Sequence, residues 1–267
     1  MDKKISTIIP IYNAEKYLRE TLDCVCNQSY KNLEIVCVLD CPTDTSENIV
    51  NEYALSDERI IVIKQSANSG PGATRNLGVE KASGEYIHFM DSDDIVTLDF
   101  YRNMLIAATD MKADVVACSV FYEKKPKESV WFWKNKTIVG NAKFNKTEVV
   151  RCGWAVRYLI KKDFWNKNKL TFPDFTIMED CVAMVQMVHY AEKIALCSNA
   201  LYIYKDRETS ILNKIVTAEE QIRLNSIMGE AQAMVHNFLH TNKIKQPAKW
   251  QRKLAKFLRK FKRVKYP

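Results

Sequence analysis

The sequence has 267 residues, enough for one large α/β domain with a sizeable core, or for a catalytic domain plus a small appendage. With 47% hydrophobic and 27% charged residues and only 7 Gly and 7 Pro, disorder and collagen-like or linker-dominated chains are excluded. The net charge of +8 is unevenly placed: residues 243–267 hold 11 Lys and Arg and no acid, leaving 29 basic against 32 acidic groups, a net −3, on residues 1–242.

In chain order, Ile5 to Ile11 reads as a buried strand, and Ala14 to Gln28 carries Tyr17, Leu18, Leu22 and Val25 at a helical period. Leu33 to Leu39 is a second strand, and Asp44 to Tyr53 a helix with Asp44 or Thr45 as N-cap. Ile60 to Lys64 is a third strand, Gly72 to Ala82 a helix, and Tyr86 to Met90 a fourth strand. Leu98 to Met111 reads as helix and Asp114 to Phe121 as strand; Glu123 to Asn145 is charged and irregular, and Ala218 to His240 is again helical. Strands alternating with helices predict a mostly parallel sheet with helices on both faces.

The eight cysteines include no C-x-x-C pair, several lie in apolar runs, and the N-terminus lacks a signal-peptide pattern. The expectation is a reducing cytoplasm, which leaves the sequons at Asn27, Asn135 and Asn145 without a function.

Sheets of this class bind ligands beyond the carboxyl ends of their strands. Three strands end in polar groups: Tyr12-Asn13 after the first, Asp40-Cys41-Pro42-Thr43-Asp44 after the second, and Asp91-Ser92-Asp93-Asp94 after the fourth. Each alone also reads as a turn or helix cap; together they mark one sheet edge as a site.

The ordered motifs resemble the family 2 glycosyltransferases of GT-A fold, an inverting family that includes bacterial capsule and lipopolysaccharide sugar transferases. They are Ile8-Ile9-Pro10-Ile11-Tyr12-Asn13 with Glu15; Val38 to Asp44; Asn68 to Asn76 with Gly78; Gly84 to Ile87 leading to Asp91-Ser92-Asp93-Asp94; Glu179-Asp180; and, more weakly, Tyr202-x-Tyr204 with Ser210-Ile211. The resemblance spans about residues 4 to 211. It implies a Rossmann-like GT-A fold, with a nucleotide-sugar-binding half over 1–110 and an acceptor-binding, catalytic-base half over 111–215. A C-terminal helical region, 216–246, and a basic amphipathic helix, 247–267, then follow from the sequence pattern.

The implied substrate is a nucleotide sugar, with UDP-sugar foremost, and the implied acceptor is a glycan or lipid-linked glycan in cell-surface polysaccharide synthesis. Donor contacts fall on Pro10, Tyr12, Glu15, Asp40, Arg75, Asp91 and Ser92. Pro10 and Tyr12 wall the base, Asp40 accepts from a uracil N–H, and Arg75 pairs with Asp40 or reaches the base and diphosphate. Asp93 is the implied ligand of Mn²⁺ or Mg²⁺, which suits a hard oxygen donor and substrate phosphates. Asp180 is the candidate general base, since inversion needs a carboxylate opposite the leaving group. Glu179 orients the acceptor or caps the following helix. Trp154 is a candidate acceptor-side ring, and Trp131, Trp133 and Trp165 are alternatives that also read as packing residues, as do His88 and His189. The chain departs from the family pattern at Leu39-Asp40-Cys41-Pro42, which lacks a glycine after the acid, and at Thr74, where a small Ala is usual.

In the tail, Trp250, Leu254, Phe257, Leu258, Phe261 and Val264 form a helical stripe amid Lys253, Lys256, Lys260 and other cations. This is the pattern of a helix lying on an anionic membrane surface, although docking on the acidic body is a second reading. The expected location is therefore peripheral, on the cytoplasmic face of the inner membrane. Nucleic acid is not expected as a partner, because one basic helix gives only non-specific, salt-sensitive binding. A nucleotidyltransferase would need a Gly-rich basic triphosphate loop, which Ile8 to Glu15 is not, and a non-catalytic adaptor would bind no nucleotide.

Overall fold

The apolar run at the N-terminus forms β1 (Ile5–Ile11), flanked by β2 (Leu33–Leu39), whose seven residues are all buried, and then β3 (Ile60–Lys64). The connecting helices are α1 (Leu18–Cys26) and α2 (Ser46–Ser56). After β3 the chain reverses direction across the sheet: α3 (Gly70–Lys81) leads to β4 (Tyr86–Phe89), which pairs parallel with β1 on its other side. Parallel crossovers are right-handed, so this reversal puts α3 on the face opposite α1 and α2. It also creates a topological switch point between β1 and β4, where such sheets open a ligand crevice. α3 can lie close to β1 because residue 78 is glycine; a Cβ there would overlap Ile8 Cγ2.

The remaining elements are β5 (Ile95–Val96), α4 (Phe100–Asp110), β6 (Val115–Tyr122), β7 (Lys136–Val139), β8 (Tyr158–Lys161), α5 (Lys162–Lys167), α6 (Glu179–Tyr190), β9 (Lys193–Tyr204) and α7 (Ala218–Thr241). This computed structural model describes residues 2–131, 134–139, 154–207 and 217–244. Within them the strand order is β3-β2-β1-β4-β8-β6-β9-β5, with β7 pairing β9.

The α/β architecture with a C-terminal helix is as expected. The parallel pairing holds for β1 to β4 and for β6 with β9, whereas β8, β7 and β5 enter antiparallel, so the second half makes the sheet mixed. β7 and β5 arise where no strand was expected, β7 inside the stretch read as irregular. Both are short and are held by β9, a strand of twelve residues that also pairs with β6.

The larger of two apolar clusters among the described residues runs from Ile5 to Tyr202. His88 sits in it fully buried, sharing Nδ1 with Tyr101 and Thr7 and Nε2 with the Val156 carbonyl; burial lowers its pKa to about 4. Trp165 is also core, stacked on Phe89 and Phe172. His189 packs against Tyr190 and Phe238.

Candidate active site

At the carboxyl edge of β1 and β2 two loops stitch each other together. Asn13, in the left-handed region at φ 49°, accepts from the Thr43 amide at 2.8 Å. The Glu15 amide donates to Asp44, whose other oxygen accepts from the Ser46 amide, and the Ser46 hydroxyl accepts from the Ala14 amide. Glu15 was expected to touch the donor; its carboxylate instead accepts from the amide and hydroxyl of Thr45, at 3.0 and 2.7 Å, and so caps α2. Pro10 lies one residue before the end of β1, and Tyr12, just past it, is 51% exposed with its ring available to a ligand.

Asp40 is buried at the end of β2, and its carboxylate takes the orphan amides at the start of α3. It accepts from Ser69 N at 2.7 Å and Gly70 N at 3.0 Å, and from Gln65 Nε2 at 2.7 Å. Three of the carboxylate's roughly four acceptor positions are thus taken, none of them by Arg75, the partner offered for it. The next residue, Cys41, holds φ 50°, the conformation a glycine would favour there. The turn is thus kept despite the missing glycine, with the thiol donating to the Gln65 carbonyl.

Arg75, projecting from α3, does not pair with Asp40. Its Nη2 donates to Asp91 at 2.9 Å and its Nη1 to Glu179 at 2.5 Å, with the guanidinium over the Phe172 ring. The side chain is 8% exposed; burial disfavours its charge, but Asp91, Glu179 and Asp180 outweigh that and hold the proton more firmly than usual. Gly72, one turn earlier, permits the same approach, since a Cβ would meet the Pro173 carbonyl at 2.6 Å. Glu179 therefore serves as a buried ion-pair partner, which neither expectation for it anticipated.

After β4, Asp91 N donates to the Tyr202 hydroxyl at 3.3 Å. Asp94 is fully buried, accepting from the same hydroxyl at 2.7 Å and from Lys205 N at 2.8 Å; burial and the neighbouring acids push its carboxyl well up. Ser92 and Asp93 lie between, partly exposed. Asp93 is pushed up to about 6 by burial and by Asp91, against an opposing pull from Arg207. Arg207, not singled out from the sequence, donates to the Asp93 carbonyl at 3.1 Å and pairs with Glu20 at 2.7 Å, above the Tyr17 ring. No local pattern marks Arg207, because its partners lie on α1 and in the loop after β4.

Asp180 occupies the first turn of α6, accepts from the Cys181 amide at 2.8 Å, and is raised well above the usual carboxylate range by burial and by Glu179, with Arg75 opposing. The residue before this pair, Met178, is left-handed at φ 67°. Trp154 is partly buried between Tyr122 and Tyr204, at ring distances of 5.4 and 5.3 Å, and Trp131 is 47% exposed beside Phe121. Trp133, Ser210-Ile211 and the tail with Trp250, Lys253, Lys256, Phe257, Lys260 and Phe261 lie outside the described residues.

The donor set after β4 fits a divalent cation that is held mainly by a diphosphate. Asp91 and Asp93 are hard oxygen donors, and among the described residues no cluster of three or more His, Cys, Asp or Glu forms an all-protein cage. The like charges that raise Asp93 are what a cation there would neutralise.

Carboxylates at the switch point of the sheet, joined by a buried arginine to a second acidic pair, sit on an α/β fold of the GT-A type. The sequence profile for glycosyl transferase family 2 matches residues 6–181, and the chain belongs to that family. It is 30% identical over 251 residues to glycosyltransferase GlyA of Streptococcus pneumoniae, covering 89% of this chain and 35% of that protein. Against the poly(ribitol-phosphate) beta-glucosyltransferase of Bacillus spizizenii it is 31% identical over 217 residues, 75% of this chain and 32% of the relative. The chain thus spans about a third of the length of these two relatives. In fold it matches S. aureus TarS in complex with UDP-GlcNAc, with TM-score 0.76 and 22% identity over 96% of this chain and 72% of that one. The mannosyltransferase PcManGT of Pyrobaculum calidifontis, in complex with GDP-Man and Mn²⁺, gives TM-score 0.64 and 15% identity over 96% and 69%.

Proposed function

We propose that this chain is an inverting glycosyltransferase that moves a sugar from a nucleotide sugar, foremost a UDP-sugar, to a hydroxyl of a glycan or lipid-linked glycan in cell-surface polysaccharide synthesis. The observation that carries this reading is the Arg75 bridge. It holds Asp91 of the donor motif and Glu179 of the α6 acidic pair on one guanidinium, although 88 residues separate them in sequence. Residues 1–110 then serve as the nucleotide-sugar half, 111–215 as the acceptor and catalytic-base half, and 216–246 as a helical support.

In this reading Pro10 and Tyr12 flank the base, and Asp40 fixes the loop beneath it while a free lone pair accepts from the ring N–H. Asp91 and Ser92 contact the donor, and Asp93, with Asp91 near it, would hold Mn²⁺ or Mg²⁺. When bound, the ion neutralises charge on the departing nucleoside diphosphate. Asp180 takes the proton from the acceptor hydroxyl as that oxygen attacks the anomeric carbon. Burial and the neighbouring Glu179 charge raise its pKa, which makes the ionised carboxylate a stronger base. Trp154 and the neighbouring Tyr204 offer ring faces on the acceptor side. The relatives whose names specify teichoic-acid-type polymers and the fold neighbours bound to UDP-GlcNAc or GDP-Man and Mn²⁺ support this substrate class.

Thermal shift with UDP, GDP, TDP and CMP sugars and Mn²⁺ tests it: one nucleotide class should stabilise the protein, and no response to any of them contradicts the reading. The tail of 247–267 would set the location, a peripheral one on the cytoplasmic face of the membrane, with cations worth about 1 kcal/mol each against anionic lipid. Among the described residues no helix is long and apolar enough to cross a membrane. Deleting residues 248–267 should release the protein from anionic liposomes; a truncated protein that still pellets with them refutes the tail's role.

A further inference from the structure

Apolar packing among the described residues divides into two clusters. The larger fills the sheet, while the second joins Ile177, Met178, Val182 and Val185 to one face of α7. Met228, Ala231, Val235 and Leu239 form that face, at the three- and four-residue spacing of a helical stripe. α6 lies between the clusters, with Ala183, Met184, Met187 and Val188 in the large core and Val182 and Val185 against α7.

The turn before Glu179 and Asp180 is therefore gripped from two sides. From the sheet side, Asn76 of α3 donates to the Phe172 carbonyl at 2.8 Å and accepts from the Phe172 amide at 2.9 Å, while Arg75 holds Glu179. On the other side Ile177 and Met178, each 7% exposed, belong to the cluster built on α7. Met178 has the left-handed φ of 67° with no glycine to make it easy, and such a conformation persists only where its surroundings over-determine it. Its side chain is anchored in the α7 cluster, and the very next residues are the acidic pair.

We propose that α7 is a positioning element for Asp180: its apolar stripe seats Ile177 and Met178, and that seat fixes the backbone turn which aims the carboxylate. The inference rests on the reading of Asp180 as the general base. The stripe residues pack within the second apolar cluster, whose members include none of Asp40, Asp91 and Asp93, and α7 lies beyond residues 6–181, the part matched by the family profile. Loosening α7 should thus leave donor capture intact while degrading the geometry of proton removal, and a displacement of about 1 Å at a reacting group can cost up to about 100-fold in rate.

The test uses the full chain with Met228→Ala and Val235→Ala, singly and together, and Val235→Ile as the conservative variant. Hydrogen exchange and steady-state turnover are measured with the UDP-sugar the wild type uses. The double variant should exchange faster at residues 177–182 than the wild type, with β1, β2 and β4 unchanged. It should lose about tenfold or more in kcat with donor KM within about twofold, and Val235→Ile should keep wild-type kcat. If the double variant does not fold, Val235→Ala alone is read by the same criteria. Unchanged exchange at 177–182, or faster exchange there with kcat within twofold of wild type, overturns the role of α7. A wild type that turns over no nucleotide sugar instead refutes the functional reading beneath it, so the two failures are distinguishable.

Discussion

At the ends of β1 and β2 four polar side chains are fixed by backbone amides of neighbouring loops and caps: Asn13 by Thr43, Glu15 by Thr45, Asp44 by Ser46, and Asp40 by the amides that start α3. Glu179 and Asp180 are held differently. Their turn depends on Arg75, 104 residues before Glu179, on Asn76, and on an apolar seat from α7. A loop edge built from such caps is preformed by its own strands and loops. An acidic pair built from distant contacts is only as well aimed as the tertiary packing around it, so damage should reach the two regions by different routes.

Breaking the arginine bridge should have the largest effect. Arg75→Met leaves Glu179 buried without its cation and releases Asp91, so unfolding stability should fall by about 3–5 kcal/mol, read by denaturant titration. A loss below about 1 kcal/mol would mean the bridge does not join the two regions.

The pH dependence sharpens the donor side. Asp93 has a folded pKa near 6, above its value in the unfolded chain, so the proton favours the folded state and ionisation above pH 6 opposes it. A divalent cation needs the ionised form. Mn²⁺-dependent nucleotide binding should therefore weaken as pH falls through about 6, by about tenfold per unit below it, and calorimetry at pH 5, 6 and 7 checks this. Binding that does not change over that range contradicts the assignment of Asp93 as the ligand.

The smallest effect is expected from Cys41→Gly. The left-handed φ costs a non-glycine residue about 1–2 kcal/mol, partly offset by glycine's extra chain entropy and by loss of the thiol contact to Gln65. Tm should rise by about 2 °C with nucleotide affinity unchanged. A fall in Tm would show that the thiol contact outweighs the backbone strain.

The same contrast explains what could be read from the sequence. β1 and β2 are apolar runs buried on both faces and fall at the expected residues, while α1 begins at Leu18 and not at Ala14, because the capped turn over 15–17 takes up the first residues of the pattern. The acids after β2 and β4 were legible because a polar cluster ending a buried strand is a local signal. β7 was not: within Lys136–Val139, Ile138 is a core side chain, and the strand exists because β9 offers an edge. Nothing near Glu179 announces a buried pairing with Arg75, and nothing near Met178 announces a left-handed backbone where glycine or asparagine would be usual. Arg207, which reaches Asp93 and Glu20, was missed for the same reason.

In the proposed mechanism the two acidic motifs divide the work, with Asp93 on the donor's cation and Asp180 on the acceptor's proton. Calorimetry of UDP with Mn²⁺ on Asp93→Ala and Asp180→Asn, each followed by a transfer assay with the active UDP-sugar, tests that division directly. Asp93→Ala should lose nucleotide binding, and Asp180→Asn should bind UDP and Mn²⁺ within about twofold of wild type yet lose at least about 100-fold in turnover. Wild-type binding by Asp93→Ala, or wild-type turnover by Asp180→Asn, would contradict that division.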